Sequence, residues 1–342
     1  MTTTSGPAVG PTAPPTGVSV IATVFNEAGT VEALLDSLAA QHRPPDEIVV
    51  VDGGSTDGTV ARLRAWAGAA AARRGPALRV VERPGANIAA GRNAAIAAAR
   101  GPIVAVTDAG VRLVPGWLGD LVAPIEAGAA RWAAGFFASD PRGAFETALG
   151  AATLPEVGEI DPARFLPSSR SVAFRKDDAE AIGGYPAWLD YGEDLVFDLV
   201  LRQRAGQPAF APTAVARFRP RPTLGAFATQ YYRYARGDGK AGLWPRRHAV
   251  RYATYVGAGP ALAVLSIAHR PAWALGLAAG LVAMLARPVR RLVHQWGDLS
   301  LPGRAAALLW LPLIRVTGDV AKMVGYPAGL GWRRAHRPPR WR

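Results

Sequence analysis

The stretch Ile48–Thr59, IVVVDGGSTDGT, restricts the fold of this chain more than any other. Ile48, Val49, Val50 and Val51 form an unbroken β-branched run, the pattern of a strand buried on both faces of a parallel sheet. Asp52 ends it. Gly53 and Gly54 open backbone conformations closed to other residues, and Ser55, Thr56 and Asp57 supply capping groups for a helix from Val60 to Ala67. The Asp52 carboxylate therefore stands at the carboxyl end of a strand beside a glycine-rich turn, where open α/β sheets bind ligands. A strand ending in Asp also occurs in α/β proteins without such a site.

The flanking sequence repeats the pattern. Val18–Val24 reads as a strand, and Asn26, Glu27 and Thr30 open a helix through Val31, Leu34, Leu35 and Leu38. Pro44 and Pro45 close that helical region, so the Asp52 strand completes a βαβ unit. Ala77–Glu82 is a third strand. Gly85–Gly101, GANIAAGRNAAIAAARG, is an Ala-rich helix closed by glycine, and Ile103–Thr107 is a fourth strand, ending at Asp108. Two strands ending in Asp52 and Asp108 bring two carboxylates to a common crevice. The competing reading makes one a helix cap and the other a solvated turn residue.

With 342 residues the chain accommodates one large α/β domain and an appendage. It has no cysteine, which excludes disulfides and thiolate metal sites. A net charge of +13 suits an anionic partner such as a phosphorylated substrate, acidic lipid or nucleic acid. Residues 1–17 are rich in Thr, Pro and Gly without an apolar core, so they read as a disordered leader and not a signal peptide, with the catalytic part in the cytosol.

Two later segments carry chemistry. In Ser168–Gly206, SVAFRK reads as a strand, Asp177 or Asp178 starts a helix, Gly183–Pro186 is a turn, and Glu193-Asp194 begins an amphipathic helix. Acids at a helix N-terminus are favoured by the macrodipole, which would account for the pair without any function. Thr229–Gly242 brings together Gln230, Arg233 and Tyr234. Residues 131–165 carry aromatics in polar surroundings and give no clear assignment.

The order VSVIATVFNE, DEIVVVDGGSTDGT, GANIAAGRNAAI and IVAVTDAGV resembles the N-terminal half of inverting family 2 glycosyltransferases of GT-A fold, with the likeness covering about residues 18–240. The resemblance implies a Rossmann-like, mostly parallel sheet flanked by helices. Thr23, Asn26, Glu27, Asp52, Gly54, Arg92 and Asp108 would then bind a nucleotide-diphosphate sugar. Asp108 would be the first acid of the family's Asp-x-Asp element and the ligand of a divalent metal, Mg or Mn. Gly110 stands where the second acid is expected, so that metal would depend on Asp108, on other acids and on phosphate oxygens. GGYPAWLDYGEDLVFDLVLRQRAG is similar to the segment carrying the general base: Asp194 would take the acceptor proton, with Glu193 orienting the acceptor or supporting the base. TQYYRYARG resembles the Gln-x-x-Arg-Trp element, with Tyr234 in place of Trp. Gln230, Arg233 and Tyr234 would contact acceptor or diphosphate.

Beyond Tyr255 the composition changes. Val256–Ala268 and Ala272–Ala286 are apolar, and each is shorter than the roughly 20 residues of a spanning helix. His269-Arg270-Pro271 divides them, which favours a helical hairpin over one span. Arg246, Arg247 and Arg251 before it, and Arg287, Arg290 and Arg291 after it, put both ends on the cytoplasmic side. Ala305–Val316 and the portion through Tyr326 read as amphipathic interfacial helices. The alternative is a buried soluble helical subdomain.

The expected organisation is thus a leader (1–17), a GT-A domain (18–245), a hydrophobic membrane region (246–330) and a basic tail (331–342) suited to anionic headgroups. The expected activity is transfer of a sugar from a nucleotide donor to a lipid-linked or glycan acceptor, with no specific nucleic-acid partner. Gly110 motivates a rival from another class, a catalytically silent sugar-nucleotide-binding scaffold.

Overall fold

The computed structural model describes residues 17–73, 75–269, 272–297 and 299–341. The leader, apart from Gly17, and the Arg270-Pro271 pair lie outside them. Eight strands form one mixed sheet: β1 (Val18–Val24), β2 (Glu47–Asp52), β3 (Ala77–Glu82), β4 (Ile103–Val106), β5 (Val111–Leu113), β6 (Trp132–Ser139), β7 (Val172–Arg175) and β8 (Ala209–Phe218). Their order is β3-β2-β1-β4-β7-β6-β8-β5. The first four run parallel, with Val24 level with Asp52 and Ile21 level with Val106. Both anchoring aspartates therefore emerge from the same sheet edge. Strand β7 is antiparallel to β4 and β6.

Alternation along the central strands supplies two cores. Val18, Val20, Ala22, Ile48 and Val50 face α1 (Val31–Ala39), α2 (Thr59–Ala72) and α4 (Trp117–Glu126). Ile21, Val49, Val51, Val104 and Val106 face α3 (Ile88–Ala98) and the later helices α6 (Lys176–Ala181) and α7 (Glu193–Ala205). Helix α1 buries Val31, Leu34, Leu35 and Leu38 on one stripe, each contributing roughly 1.5–3 kcal/mol. Asn87 caps α3 by accepting from the Ala90 N–H at 2.9 Å. Gly91 lets α3 approach β1, since a Cβ there would lie 2.8 Å from the Thr23 methyl. That closeness carries the next residue, Arg92, into the crevice.

The segment left unassigned by sequence forms β6, α5 (Gly143–Thr153) and a 3-10 turn at Val157–Glu159. The C-terminal part comprises α8 (Leu224–Ala241), α9 (Pro245–Tyr252), a π-helical stretch Ala253–Ala258, α10 (Gly259–His269), α11 (Ala272–Gln295) and α12 (Leu301–His336). Where sequence suggested short interfacial helices, α12 is one 36-residue helix laid along α8 and α5. Glycines permit the contact: a Cβ at Gly325 would strike the Tyr232 carbonyl, one at Gly329 the Arg236 carbonyl, and one at Gly239 the Tyr326 carbonyl. Backbone approach of this kind is open only to small residues, and it fixes α12 to the helix that carries Gln230, Arg233 and Tyr234.

Helices α10 and α11 pack on each other as the expected hairpin. Val264, Ile267, Leu275 and Val282 on its surface are exposed, Ile267 at 81%. The outer face of α12 adds Leu309, Leu313, Val316, Val320 and Val324, a stripe at helical spacing. Among the described residues one helix, Trp273–Gln295, is long and apolar enough to cross a membrane. Of the flanking arginines, Arg290 and Arg291 pair with Glu159 and Arg251 pairs with Asp319, so these three are engaged within the protein.

Candidate active site

A cavity of about 1040 Å³ opens along the carboxyl ends of β1, β2 and β4 and continues under α8 and α12. Its lining includes Thr23, Phe25, Gly53 and Asn87 beside the sheet edge, Arg92, Asp108, Arg170, Glu193 and Asp194, and, from the C-terminal helices, Arg247, His248, Arg251 and Lys322.

Asp52 is buried, and one carboxylate oxygen accepts from the N–H groups of Gly54 and Ser55, both at 2.9 Å. Its second oxygen is buried without a partner, an acceptor that a ligand donor can satisfy. Asn26 adopts a left-handed conformation (φ 56°) and holds the glycine-rich loop: its N–H donates to Ser55 Oγ and its Oδ1 accepts from Thr56 N–H. Asn26, Asp52 and Gly54 thus shape the rim, while Thr23, Glu27, Arg92 and Asp108 line the cavity.

Arg92 is the central cation. One Nη donates to Glu193 and the other to Asp108, each at 2.7 Å. Burial pushes the Asp108 carboxyl up, but the Arg92 and Arg170 guanidiniums together hold it below the usual carboxylate range. Gly110 has a φ of +74°, a backbone setting that suits glycine, and a Cβ there would lie 3.9 Å from Glu27 Oε2. Among the described residues no cluster of three His, Asp or Glu side chains could hold a metal. The Mg or Mn site expected on Asp108 meets one carboxylate between two guanidiniums, with Arg170 Nε 3.7 Å away. That donor set does not fit a divalent cation, and no step below is routed through one.

The catalytic pair is set by the preceding loop. Asn93 clamps Tyr185, accepting from its N–H at 2.7 Å and donating to its carbonyl at 2.8 Å. Gly184 (φ +72°) leaves room for the Asn93 side chain. Tyr185 stacks on Phe197 at 4.0 Å, which docks α7 on the sheet. Gly192, left-handed at φ +78°, then turns the chain so that Glu193 and Asp194 open α7 facing the cavity. Burial and the adjacent Asp194 charge push Glu193 up to about 7 against the pull of Arg92. Burial also raises Asp194, which accepts from the Leu195 N–H at 2.9 Å and has no ionic partner within salt-bridge range among the described residues. One turn on, Asp198 is buried with an unpartnered oxygen, and burial followed by the Asp194 charge raises its carboxyl well above normal.

Gln230 and Tyr234 reach the cavity, with Gln230 Nε2 donating to the Tyr234 hydroxyl at 2.8 Å. Arg233 turns away and donates to the Tyr191 hydroxyl at 2.9 Å. Sequence reasoning did not single out Arg170, whose guanidinium lies 4.6 Å from the Phe218 ring centre between Asp108 and Tyr234. It also missed Asp198, Arg247, His248 and Lys322. No local motif marks these positions.

Residues 19–170 match the family described as glycosyl transferase family 2. A solved mannosyltransferase from Pyrobaculum calidifontis, PcManGT in complex with GDP-Man and Mn2+, is 22% identical, covers 90% of this chain and 89% of its own, and superposes with a TM-score of 0.59. TarS 1-349 from S. aureus in complex with UDP is 19% identical over 93% of this chain and 91% of its own, with a TM-score of 0.48. No curated protein matches the chain.

Proposed function

We propose that this protein, whose residues 19–170 match glycosyl transferase family 2 and whose fold is of the GT-A kind, is a glycosyltransferase that passes the sugar of a nucleotide-diphosphate donor to an acceptor with inversion, using Asp194 as base. The observation that carries this reading is the contrast within the acidic pair. Glu193 is locked to Arg92, whereas Asp194 lines the cavity and, among the described residues, has its own helix N–H as its one hydrogen-bond partner.

Asp194 accepts the proton of an acceptor hydroxyl as its oxygen attacks the anomeric carbon from the face opposite the diphosphate. The bond from that carbon to the diphosphate oxygen breaks, and configuration inverts. Negative charge grows on the leaving nucleoside diphosphate, and Arg170, in the same cavity, is suited to meet it bidentately. Arg92 holds Asp108 and Glu193 in register, and Asp52 offers its unpartnered oxygen to the nucleotide.

The exposed apolar hairpin and the stripe on α12 support seating on a membrane, with the catalytic domain on the cytoplasmic side and a lipid-linked or cell-envelope glycan as acceptor. Gly110 favours a second reading, a sugar-nucleotide-binding scaffold without turnover. The test is binding of a panel of nucleotide sugars to detergent-held protein, with and without manganese or magnesium, followed by product analysis. Selective binding and transfer from one donor supports the transferase; selective binding without transfer to any acceptor supports the scaffold; binding of none by folded protein overturns both.

A further inference from the structure

Beyond the catalytic centre the cavity runs into a cluster of positive charge that the transfer chemistry does not use. Arg315 and Lys322 lie seven residues apart on one face of α12, with Asp319 between them, and Arg251 of α9 faces the same point. Asp319 is already engaged: one oxygen accepts from Arg251 Nε at 2.7 Å and the other from the Tyr255 hydroxyl at 3.0 Å. The next nearest acid, Asp238 on α8, is bound to His248 at 3.1 Å.

Lys322 Nζ lies 4.5 Å from the centre of the Tyr231 ring, with no carboxylate in salt-bridge range among the described residues. Arg315 Nε is buried without a hydrogen-bond partner. Three cations thus share the Asp319 carboxylate, already paired with Arg251, in a half-buried setting, a charge imbalance that a bound anion would relieve. A side pocket of about 90 Å³ between α5, α8 and α12 is lined by Thr153, Tyr231, Arg315, Asp319 and Lys322 among others, while Arg251 lines the adjoining main cavity and reaches the pocket through its bond to Asp319. It shares Thr153, Tyr231 and Lys322 with the main cavity, so its occupant communicates with the space that Asp194 lines.

We propose that Lys322, Arg315 and Arg251 form a binding site for a phosphate or diphosphate group on the acceptor, separate from the donor's diphosphate. The proposal rests on the transferase reading for the word acceptor, and on the charge geometry alone for the phosphate. The outer faces beside the cluster point to a lipid-borne source. Val316, next to Arg315, is exposed with Leu309 and Leu313 on α12, and the α10–α11 hairpin continues the apolar surface. An acyl or prenyl chain would lie along these faces while its phosphate enters the pocket.

The experiment is equilibrium binding of farnesyl phosphate to the full chain in detergent, with farnesol and inorganic phosphate as parallel ligands and nucleoside diphosphates as a control for the donor end. Wild-type protein is expected to prefer farnesyl phosphate over farnesol, and Lys322→Met to weaken it by about tenfold or more, the loss of a charged hydrogen bond. Lys322→Arg should recover most of the affinity, and both variants should bind nucleoside diphosphate within about twofold of wild type, since Lys322 stands over the Tyr231 ring on α8 and not on the strand-end loops around Asp52. Tighter binding of farnesyl phosphate than inorganic phosphate assigns the site to a lipid phosphate, and equal binding assigns it to a free phosphate group. Equal affinity for farnesyl phosphate in wild type and Lys322→Met, or no preference over farnesol, overturns the site. Failure of wild-type protein to bind any nucleoside diphosphate would instead overturn the transferase reading, leaving the phosphate result to stand on its own.

Discussion

Arg92 donates to Glu193 at 2.7 Å while its other terminal nitrogen donates to Asp108 at the same distance. One buried guanidinium therefore joins the acid at the end of β4 to the acid at the start of α7. Removing it leaves Glu193 without its cation and Asp108 with Arg170 alone, and breaking a buried pair costs about 3–5 kcal/mol. Arg92→Met is expected to lower the melting temperature clearly and to abolish transfer. Arg92→Lys, which cannot reach both partners in a fork, should recover stability only in part. Thermal unfolding of the two variants tests this, and a wild-type melting temperature for Arg92→Met would contradict it.

Asp194→Asn keeps the shape of the side chain and removes its capacity to accept a proton. Transfer should fall by about 10²–10⁴-fold, the usual weight of general base catalysis. Donor affinity should stay within about twofold, because the nucleotide end of the cavity is untouched. Steady-state turnover with a donor-binding titration separates the two effects, and turnover close to wild type would remove Asp194 from the role of base.

The acidic pair predicts the pH profile. Burial raises both carboxyls, Glu193 up to about 7, so the pair takes up a proton as pH falls through neutrality. Proton acceptance requires the ionised form. Activity should therefore be full in alkaline solution and decline towards acid pH as the buried Asp194 takes up its proton, approaching tenfold per pH unit in the limit. A rate independent of pH between 5 and 8, with chemistry shown to be rate-limiting, would contradict it.

Arg170 lies beside Asp108, and Gly110 brings no second acid. Arg170→Gln is expected to weaken nucleoside diphosphate binding by about tenfold or more, the contribution of a charged hydrogen bond. Chelation with EDTA should weaken it less. Titrations of both proteins with and without EDTA make the comparison, and the reverse order would return the dominant role to a cation.

Gly325 faces the Tyr232 carbonyl so closely that any side chain must separate α12 from α8. Gly325→Ala is expected to cost about 1–3 kcal/mol through overpacking. Gly331→Ala, in the same helix with nothing within 4 Å, should be neutral or slightly stabilising. Melting temperatures of the two variants decide between close packing and a helix merely resting on the surface.

What the sequence determined by itself was the set of elements formed by local pattern. The β-branched run at Ile48–Val51, the strand Val18–Val24 and the stripe Val31, Leu34, Leu35 and Leu38 are spaced by the period of the element they form, and each appears as read. Glycine turns and the two aspartates at strand ends were legible for the same reason. Strands β6 and β8 were not, because their pairing is non-local and irregular: Gly135 is level with Ala211 but Phe136 with Val215, so Pro212 sits in a bulge where a uniform strand pattern fails. The tertiary structure alone decided that Arg92 links Glu193 to Asp108, 101 and 16 residues away in sequence. It decided that Arg233 turns to Tyr191 and that α12 lies on α8, contacts set by which backbones can approach. And it brought Arg251, Arg315 and Lys322 around Asp319, at the junction of the main cavity and its side pocket, since charge separated along the chain has no visible sum until helices from different places close around it.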